Sequence, residues 1–357
     1  MHRKATLKDV STLAGVSQAT ASYVLNGNLK QKISEATRKR VMEAARQLNY
    51  MPNNTAKSLK SNRTYCIGVA IDKAITIPRY SQTLQGIRHV LEKDHYHIIM
   101  NSTKKLNGGE YPDFLNSYFA HQVDGVIYIA ADNKNMEEES ENTVVQYRIP
   151  LVAMDCSSEN RRISTVDIDY FHGAYETAEF LHTKRGVRKL FFFRPNLDTR
   201  QEREREQGIR RAEVSFPDLQ VQVLTLDFLY EGANLQLYQL AFNERDKLQF
   251  NDMARAVNEA MQSIDGELDE ESGVICSWAG MEQFVLPHLI NRKDEVKVAV
   301  LAQGLFHSAV YPNLYYSHLP NYAAGSECAK MVLDLLKDPE DIRHNFMAPS
   351  VQVHDEE

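Results

Sequence analysis

Thr6–Asn26, TLKDVSTLAGVSQATASYVLN, decides how the rest of the chain is read. Thr6 followed three residues later by Asp9 is a capping pattern, so the spacing predicts a helix from Leu7. Leu7, Val10 and Ala14 recur at i, i+3 and i+7 and form one apolar stripe. Gly15 supplies the permissive backbone at the helix end. Val16 turns inward, and Ser17 is an N-cap for a second helix. On that helix Ala21, Val24 and Leu25 face a core, while Gln18, Ala19, Ser22 and Tyr23 share the opposite face. Two short helices joined at a glycine, the second with a polar outer face, are a helix-turn-helix. Such a unit lays the start of its second helix in the DNA major groove. There Gln18 can pair bidentately with an adenine edge, Ala19 can touch a thymine methyl, and Tyr23 can reach a base or a phosphate.

A third helix is expected over Ser34–Leu48, with Val41, Ala44, Ala45 and Leu48 inside and Arg38, Lys39, Arg40 and Arg46 outside. An ordinary solvated basic face is the plain alternative, and the charge partition weighs against it. Residues 1–64 hold twelve Lys or Arg and three Asp or Glu, a charge of +9. The remainder, with 29 basic and 45 acidic residues, carries −16, which gives the whole-chain −7. A basic head on an acidic body suits phosphate neutralisation at one end only. Pro52 then stops the third helix, and Asn53 is a plausible N-cap for a segment under three turns long, too short to be stable alone in water. A simple flexible linker is the other reading of that segment.

Thr6–Asn26 with Val41–Leu59 (VMEAARQLNYMPNNTAKSL) resembles the DNA-binding head of the LacI/GalR repressor family. The shared pattern is T-x-x-D-V, A-G-V-S, A-T-x-S-x-V-L-N, T-R, A-x-x-L-N-Y-x-P-N and A-x-x-L. It covers the first 60 residues closely and the later chain loosely. The resemblance implies that Gln18, Ala19 and Tyr23 read bases and that Thr6, Ser22, Asn26, Ser34, Thr37 and Asn53 contact phosphates. It also implies a hinge helix that folds on the operator, with Ala56 at the close-packing position and Leu59 as the minor-groove wedge, a known way to kink a duplex. Tyr23 stands where relatives often have Arg or His, and Ala21 where Val is commoner.

A chain of 357 residues suggests two or three domains, and 43% hydrophobic residues suffice for a packed core. No apolar run approaches a membrane span. The N-terminal residues lack an apolar signal core, so a cytoplasmic protein without membrane association is expected. Cys66, Cys156, Cys276 and Cys328 are scattered without CxxC spacing and read as buried small residues rather than metal ligands or disulfides. No G-x-G-x-x-G, Walker A, G-x-S-x-G or H-E-x-x-H pattern occurs. The expectation is a chain that is not an enzyme, with no cofactor and no metal.

From Tyr65 the pattern alternates between short apolar runs and amphipathic stretches. Cys66–Ile71, His97–Ser102, Asp124–Ala130 and Pro150–Asp155 read as buried parallel strands, with a helix marked by Tyr80, Leu84, Ile87 and Leu91 after the first. A second series is expected from near Ser164. Its strands are Lys189–Arg194, Val221–Leu226, Gly273–Trp278 and Val296–Leu301, and its helices include Tyr170–Arg185 and Tyr322–Lys337. The fold class is therefore an all-α helix-turn-helix head plus hinge helix, joined to an α/β bilobed, periplasmic-binding-protein-like core with two parallel doubly wound sheets. The boundaries are a head over 1–52, a hinge and linker over 53–64 and a core over 65–357, the chain crossing between lobes near 160–165 and 300–325.

Ligands of such sheets bind beyond the carboxyl ends of the strands, which singles out Asp72 and Asp155. Arg205 in R-E-Q-G fits the family's R-x-x-G, whose Arg grips the effector, and it would suit a phosphate or a carboxylate. Arg200–Glu206, RQERERE, reads equally well as a solvated charged helix. Two departures matter. Ala302 stands where the family has an Asp that bonds sugar hydroxyls, and Ser277-Trp278 where an Asn-Asp pair is common. Trp278 adds a flat apolar wall, able to stack on a ligand or simply to fill the cleft. The expected function is a homodimeric repressor of double-stranded operator DNA, gated by a small-molecule effector such as a sugar, a sugar phosphate or another metabolite. The alternative is a regulator with a degenerate cleft, controlled by a partner protein or constitutive.

Overall fold

The computed structural model describes residues 5–25, 32–50, 63–73, 75, 77–106, 108–130, 136–156, 158, 160–228, 242–293, 295–302 and 311–352. The chain divides into two compact units, Met1–Tyr65 and Cys66–Glu357.

The described residues of the first unit form three helices: α1 (Leu7–Ala14), α2 (Gln18–Leu25) and α3 (Glu35–Gln47). Thr6 opens α1 with a complete capping box, its N–H donating to Asp9 at 2.8 Å and its Oγ1 accepting the Asp9 N–H at 3.3 Å. Gly15 ends α1 at φ 63°, a left-handed position that costs a glycine nothing. Ser17 and Ser34 accept the N–H of Thr20 and Thr37, at 3.1 and 3.3 Å, and so start α2 and α3. Val10, Ala14, Ala21, Val24, Val41, Ala44 and Ala45 form the core, with Leu7, Val16, Leu25, Ile33, Leu48 and Tyr50 packed around it.

The second unit holds two six-stranded sheets. The first contains β1 (Cys66–Ala70), β2 (His97–Asn101), β3 (Gly125–Ile129), β4 (Leu151–Met154), β5 (Ser164–Ile168) and β11 (His344–Met347), in the order β11-β5-β4-β3-β1-β2. Every pairing in it is parallel, Gly68 lying opposite Ile99 on one side and Val126 on the other. Between its strands run α4 (Pro78–Lys93), α5 (Asp113–Phe119) and α6 (Glu138–Gln146). The second sheet contains β6 (Lys189–Pro195), β7 (Gln220–Leu226), β8 (Ser272–Cys276), β9 (Lys297–Val300), β10 (Leu314–His318) and β12 (Ser350–Gln352), in the order β12-β10-β9-β8-β6-β7. Only β12, at its edge, runs antiparallel. Its helices are α7 (Tyr170–Arg185), α8 (Arg200–Ser215), α9 (Phe242–Ile264) and α10 (Glu282–Leu289).

The period of two explains why the middle of β6, Leu190–Phe193, is apolar throughout. Phe191 and Phe193 pack on the α9–α10 side with Val257 and Val285, whereas Leu190 and Phe192 pack on the α7–α8 side with Ala178 and Ile209. Edge strand β2 instead leaves Met100 exposed.

Two assignments differ from the sequence pattern. Ser164–Ile168 does not open the second series; it is β5 of the first sheet, and the chain crosses between lobes after it, on entering α7. The helix over 322–337, α11 (Asn321–Leu335), belongs to the first lobe, not the second, and packs on α4. The reason is a close backbone contact. A Cβ on Gly325 would lie 2.1 Å from the Thr83 carbonyl oxygen, and one on Gly86 would lie 2.0 Å from that of Tyr322. Only glycines allow the two helices to approach this far. Among the described residues the chain therefore crosses three times, after β5, after β10 and after β11. Among the described residues no helix is long and apolar enough to cross a membrane.

Candidate nucleic-acid interface and interlobe site

On the head, Gln18 and Ala19 are exposed at the start of α2, and Ser22 and Tyr23 are half-buried one turn on. The face is held in place by Ala21 and Val24, which are buried on the other side of the same helix. Thr6 and Ser34 are exposed, and both are N-caps, of α1 and α3 respectively. Thr37 lies one turn into α3, its hydroxyl 2.9 Å from that of Ser34. Thr6, Ser34 and Thr37 therefore lie at helix N-termini, where backbone N–H groups and the helix dipole favour an anion, whereas Ser22 lies in the second turn of α2. Asn26, Asn53, Ala56 and Leu59 lie outside the described residues.

In the second unit a buried polar network joins the two lobes at the carboxyl ends of the strands. Asp155 directly follows β4, in a left-handed backbone position at φ 53°, and is buried. Its Oδ2 is bonded by Arg79 from the first turn of α4, by the Tyr170 hydroxyl at 2.7 Å and by the Gln201 amide at 2.9 Å. Tyr170 and Gln201 belong to α7 and α8, so these bonds span the lobes. Burial pushes the Asp155 carboxyl up, but Arg79 and the bonds from Tyr170 and Gln201 outweigh it and leave it below its ordinary value. A second bridge joins Arg200 on α8 to Asp167 on β5 at 3.1 Å, and Arg200 also bonds Glu204 at 2.7 Å. Burial raises the Asp167 carboxyl above its ordinary value against the pull of Arg200.

Arg205 is not on a solvated helix face. It is 6% exposed and its neighbour one turn earlier, Glu202, is 1% exposed. Its guanidinium lies 4.8 Å from the Tyr170 ring centroid and donates to Glu202 at 2.8 Å, to Ser277 at 3.3 Å and to the Leu301 carbonyl at 3.3 Å. Glu202 in turn accepts the Ser277 hydroxyl at 2.6 Å and the Trp278 indole N–H at 2.9 Å. Trp278 meets Phe228 edge-on, the centroids 5.8 Å apart. Asp155, Arg205 and Trp278 are thus brought together, linked through Tyr170 and Glu202. Asp72 is not part of this network. It follows β1, is exposed, and accepts from Ser102 and Thr103. Ala302 packs on the apolar cluster beneath β9.

The sequence pattern marks Ser277 only as a departure from the family, and it does not single out Arg79, Tyr170, Gln201 or Glu202. Glu202 and Arg205 at i and i+3 are visible as a helix pair, and Arg79 stands beside the helix-starting Pro78, but nothing local marks either as buried.

The family profile "Bacterial regulatory proteins, lacI family" matches residues 6–53. That stretch, the three-helix head, is what the chain shares with the lacI family of bacterial regulatory proteins. It is 27% identical over 362 residues to the HTH-type transcriptional repressor PurR of Vibrio cholerae, spanning 98% of this chain and 97% of that protein. It is 32% identical over 179 residues to catabolite control protein A of Staphylococcus epidermidis, a match that spans only about half of either protein, 50% and 52%. In fold it is similar to the Lac repressor bound to ONPG in its repressed state, with a TM-score of 0.70, 17% identity and coverage of 98% and 99%. It is also similar to the regulator CelR in complex with cellobiose, with a TM-score of 0.58 and 21% identity over 98% of each chain. These relatives are LacI-family regulators, not enzymes.

Proposed function

We propose that this chain is a LacI-family repressor that binds a pseudo-palindromic operator in double-stranded DNA as a homodimer and is gated, in the cytoplasm, by a small molecule held between its lobes. The observation that carries the reading is the exposed Gln18–Ala19 start of α2, flanked by helix N-termini at Thr6 and Ser34. Each subunit reads one half-site, two such sites lying about one helical turn, roughly 34 Å, apart. Gln18, Ala19 and Tyr23 contact bases. Thr6, Ser22, Asn26, Ser34, Thr37 and Asn53 contact phosphates. Ala56 and Leu59 form the minor-groove hinge. One solved neighbour is the Lac repressor dimer bound to operator, and another is CelR bound to cellobiose. Occupancy of both kinds is part of this proposal.

The effector reading is supported by three buried polar atoms of the interlobe network that lack a partner: Asp155 Oδ1, Arg79 Nε and Arg205 Nε. A buried polar group left unmet costs about 1–3 kcal/mol, and a ligand bridging the lobes would meet it. Such a ligand shifts the lobe angle and so couples to operator affinity. The second reading, a cleft gated by a partner protein or not at all, is favoured by a different observation. The network's carboxylates and guanidinium groups are already paired with one another. A melting screen with sugars, sugar phosphates, nucleobases and amino acids, paired with operator titration, separates the two. A compound that raises the melting point and shifts operator affinity supports gating by small molecules. Silence across the panel with intact operator binding supports the second reading.

A further inference from the structure

We infer that Glu202 sets the charge class of the effector: the cleft takes a ligand without net negative charge and rejects phosphates and carboxylates. The inference rests on the small-molecule reading above. Arg205 is the cation that would receive an anion, and it is occupied. Its Nη1 donates to Glu202 at 2.8 Å, and both side chains are more than nine-tenths buried. Glu202 is itself fixed by Ser277 at 2.6 Å and Trp278 at 2.9 Å, so it has no route to swing into solvent without breaking both bonds. An anion at Arg205 must therefore expel Glu202 or sit beside it, and two like charges in a water-poor site are strongly unfavourable.

Among the described residues the surrounding charges of the network do not offset this. Arg79 is neutralised by Asp155. Arg200 faces two carboxylates, Asp167 and Glu204. The three guanidinium groups of the network thus meet four carboxylates, and its balance is negative. What remains open is neutral hydrogen-bonding capacity. Asp155 Oδ1 needs a donor, and the Nε–H groups of Arg79 and Arg205 need acceptors. Hydroxyl or amide groups supply both functions without displacing a charge.

The test uses the full chain and matched pairs: hexoses against hexose 6-phosphates, nucleosides against nucleoside monophosphates, with inorganic phosphate as the simplest anion. Melting points are read at constant ionic strength. In the natural chain, phosphorylated members are expected to stabilise no more than chloride. Glu202→Gln frees Arg205 and is expected to lower the phosphate concentration needed for a given shift at least tenfold, a gain lost in the double variant with Arg205→Gln. The double variant also corrects for phosphate held by the head. Glu202→Ala serves as a second variant, and folding that returns in phosphate but not in chloride counts as the same gain. The inference is overturned if a phosphorylated compound binds the natural chain as tightly as its uncharged counterpart and does so through Arg205. It is also overturned if neither variant distinguishes phosphate from chloride. If no compound binds the natural chain but the variants gain phosphate, the assignment of Glu202 stands and small-molecule gating fails.

Discussion

The start of α2 and the interlobe network are both made of polar side chains, yet they are satisfied in opposite ways. Gln18 faces solvent on a helix whose other side, Ala21 and Val24, is buried. Glu202 and Arg205 are buried and find their partners inside the chain. The first surface is open to solvent. The second is nearly complete and lacks only a few hydrogen bonds. Substitution should therefore separate them: the network answers in stability, the head in binding.

The largest expected effect is on the network. Arg205→Ala leaves Glu202 buried without its cation, and breaking such a pair costs about 3–5 kcal/mol. Chemical denaturation of the second unit should show that loss, while the melting of the head is unchanged. A loss under 1 kcal/mol would mean the pair is solvated and would erase the contrast. Asp155→Asn comes next, smaller because the Arg79 side chain is 22% exposed. Its sign follows from the carboxyl's position below its ordinary value. The charged form contributes stability that is fully present above the ordinary value of 3.8 and is lost as pH falls through the lower folded value. The natural chain should exceed the variant in stability at neutral pH, and the two should converge in acid. A difference that stays constant with pH would show that the charge is not what matters.

On the head, Gln18→Ala should cost about 1–3 kcal/mol of discrimination at one base pair. Its folding stability should stay within about 0.5 kcal/mol of the natural chain, as for an exposed side chain. Equal losses on operator and on random duplex would remove Gln18 from base reading. The smallest effect is expected for Thr6→Ala, which loses the capping box for about 1 kcal/mol of head stability. Because Thr6 also sits at a helix N-terminus, its loss should weaken specific and non-specific duplexes alike.

How much of this was legible follows from how local each feature is. Caps at Thr6, Ser17 and Ser34, the left-handed Gly15 and the i, i+3 stripe act within a few residues, so α1 to α3 could be read directly. The buried strands announced themselves as apolar runs because helices cover both faces of each sheet. Lobe membership could not be read the same way. β5 and α11 are assigned by which sheet they pair with or pack on, and the glycine contact between Thr83 and Gly325 joins residues far apart in the chain. Short edge strands β11 and β12 carry too few apolar residues to stand out. The interlobe site is the least local of all. Arg200–Glu206 carries the composition of a solvated helix, and only the packing of α8 on α7, β6 and β7, which brings Arg205 to Ser277 and Leu301 just past the ends of β8 and β9, turns Glu202 and Arg205 inward. Arg79 and Tyr170 joined Asp155 for the same reason, through contacts that no spacing along the sequence encodes.

The most direct test of the central claim, that the exposed face of α2 reads DNA sequence, is selection from a random duplex pool by the full chain at moderate salt, repeated with a broad ligand supplement. The account predicts enrichment of one pseudo-palindromic sequence, with the preference at a single base pair in each half relaxed by Gln18→Ala. Recovery of duplexes with no shared sequence under either condition would contradict it.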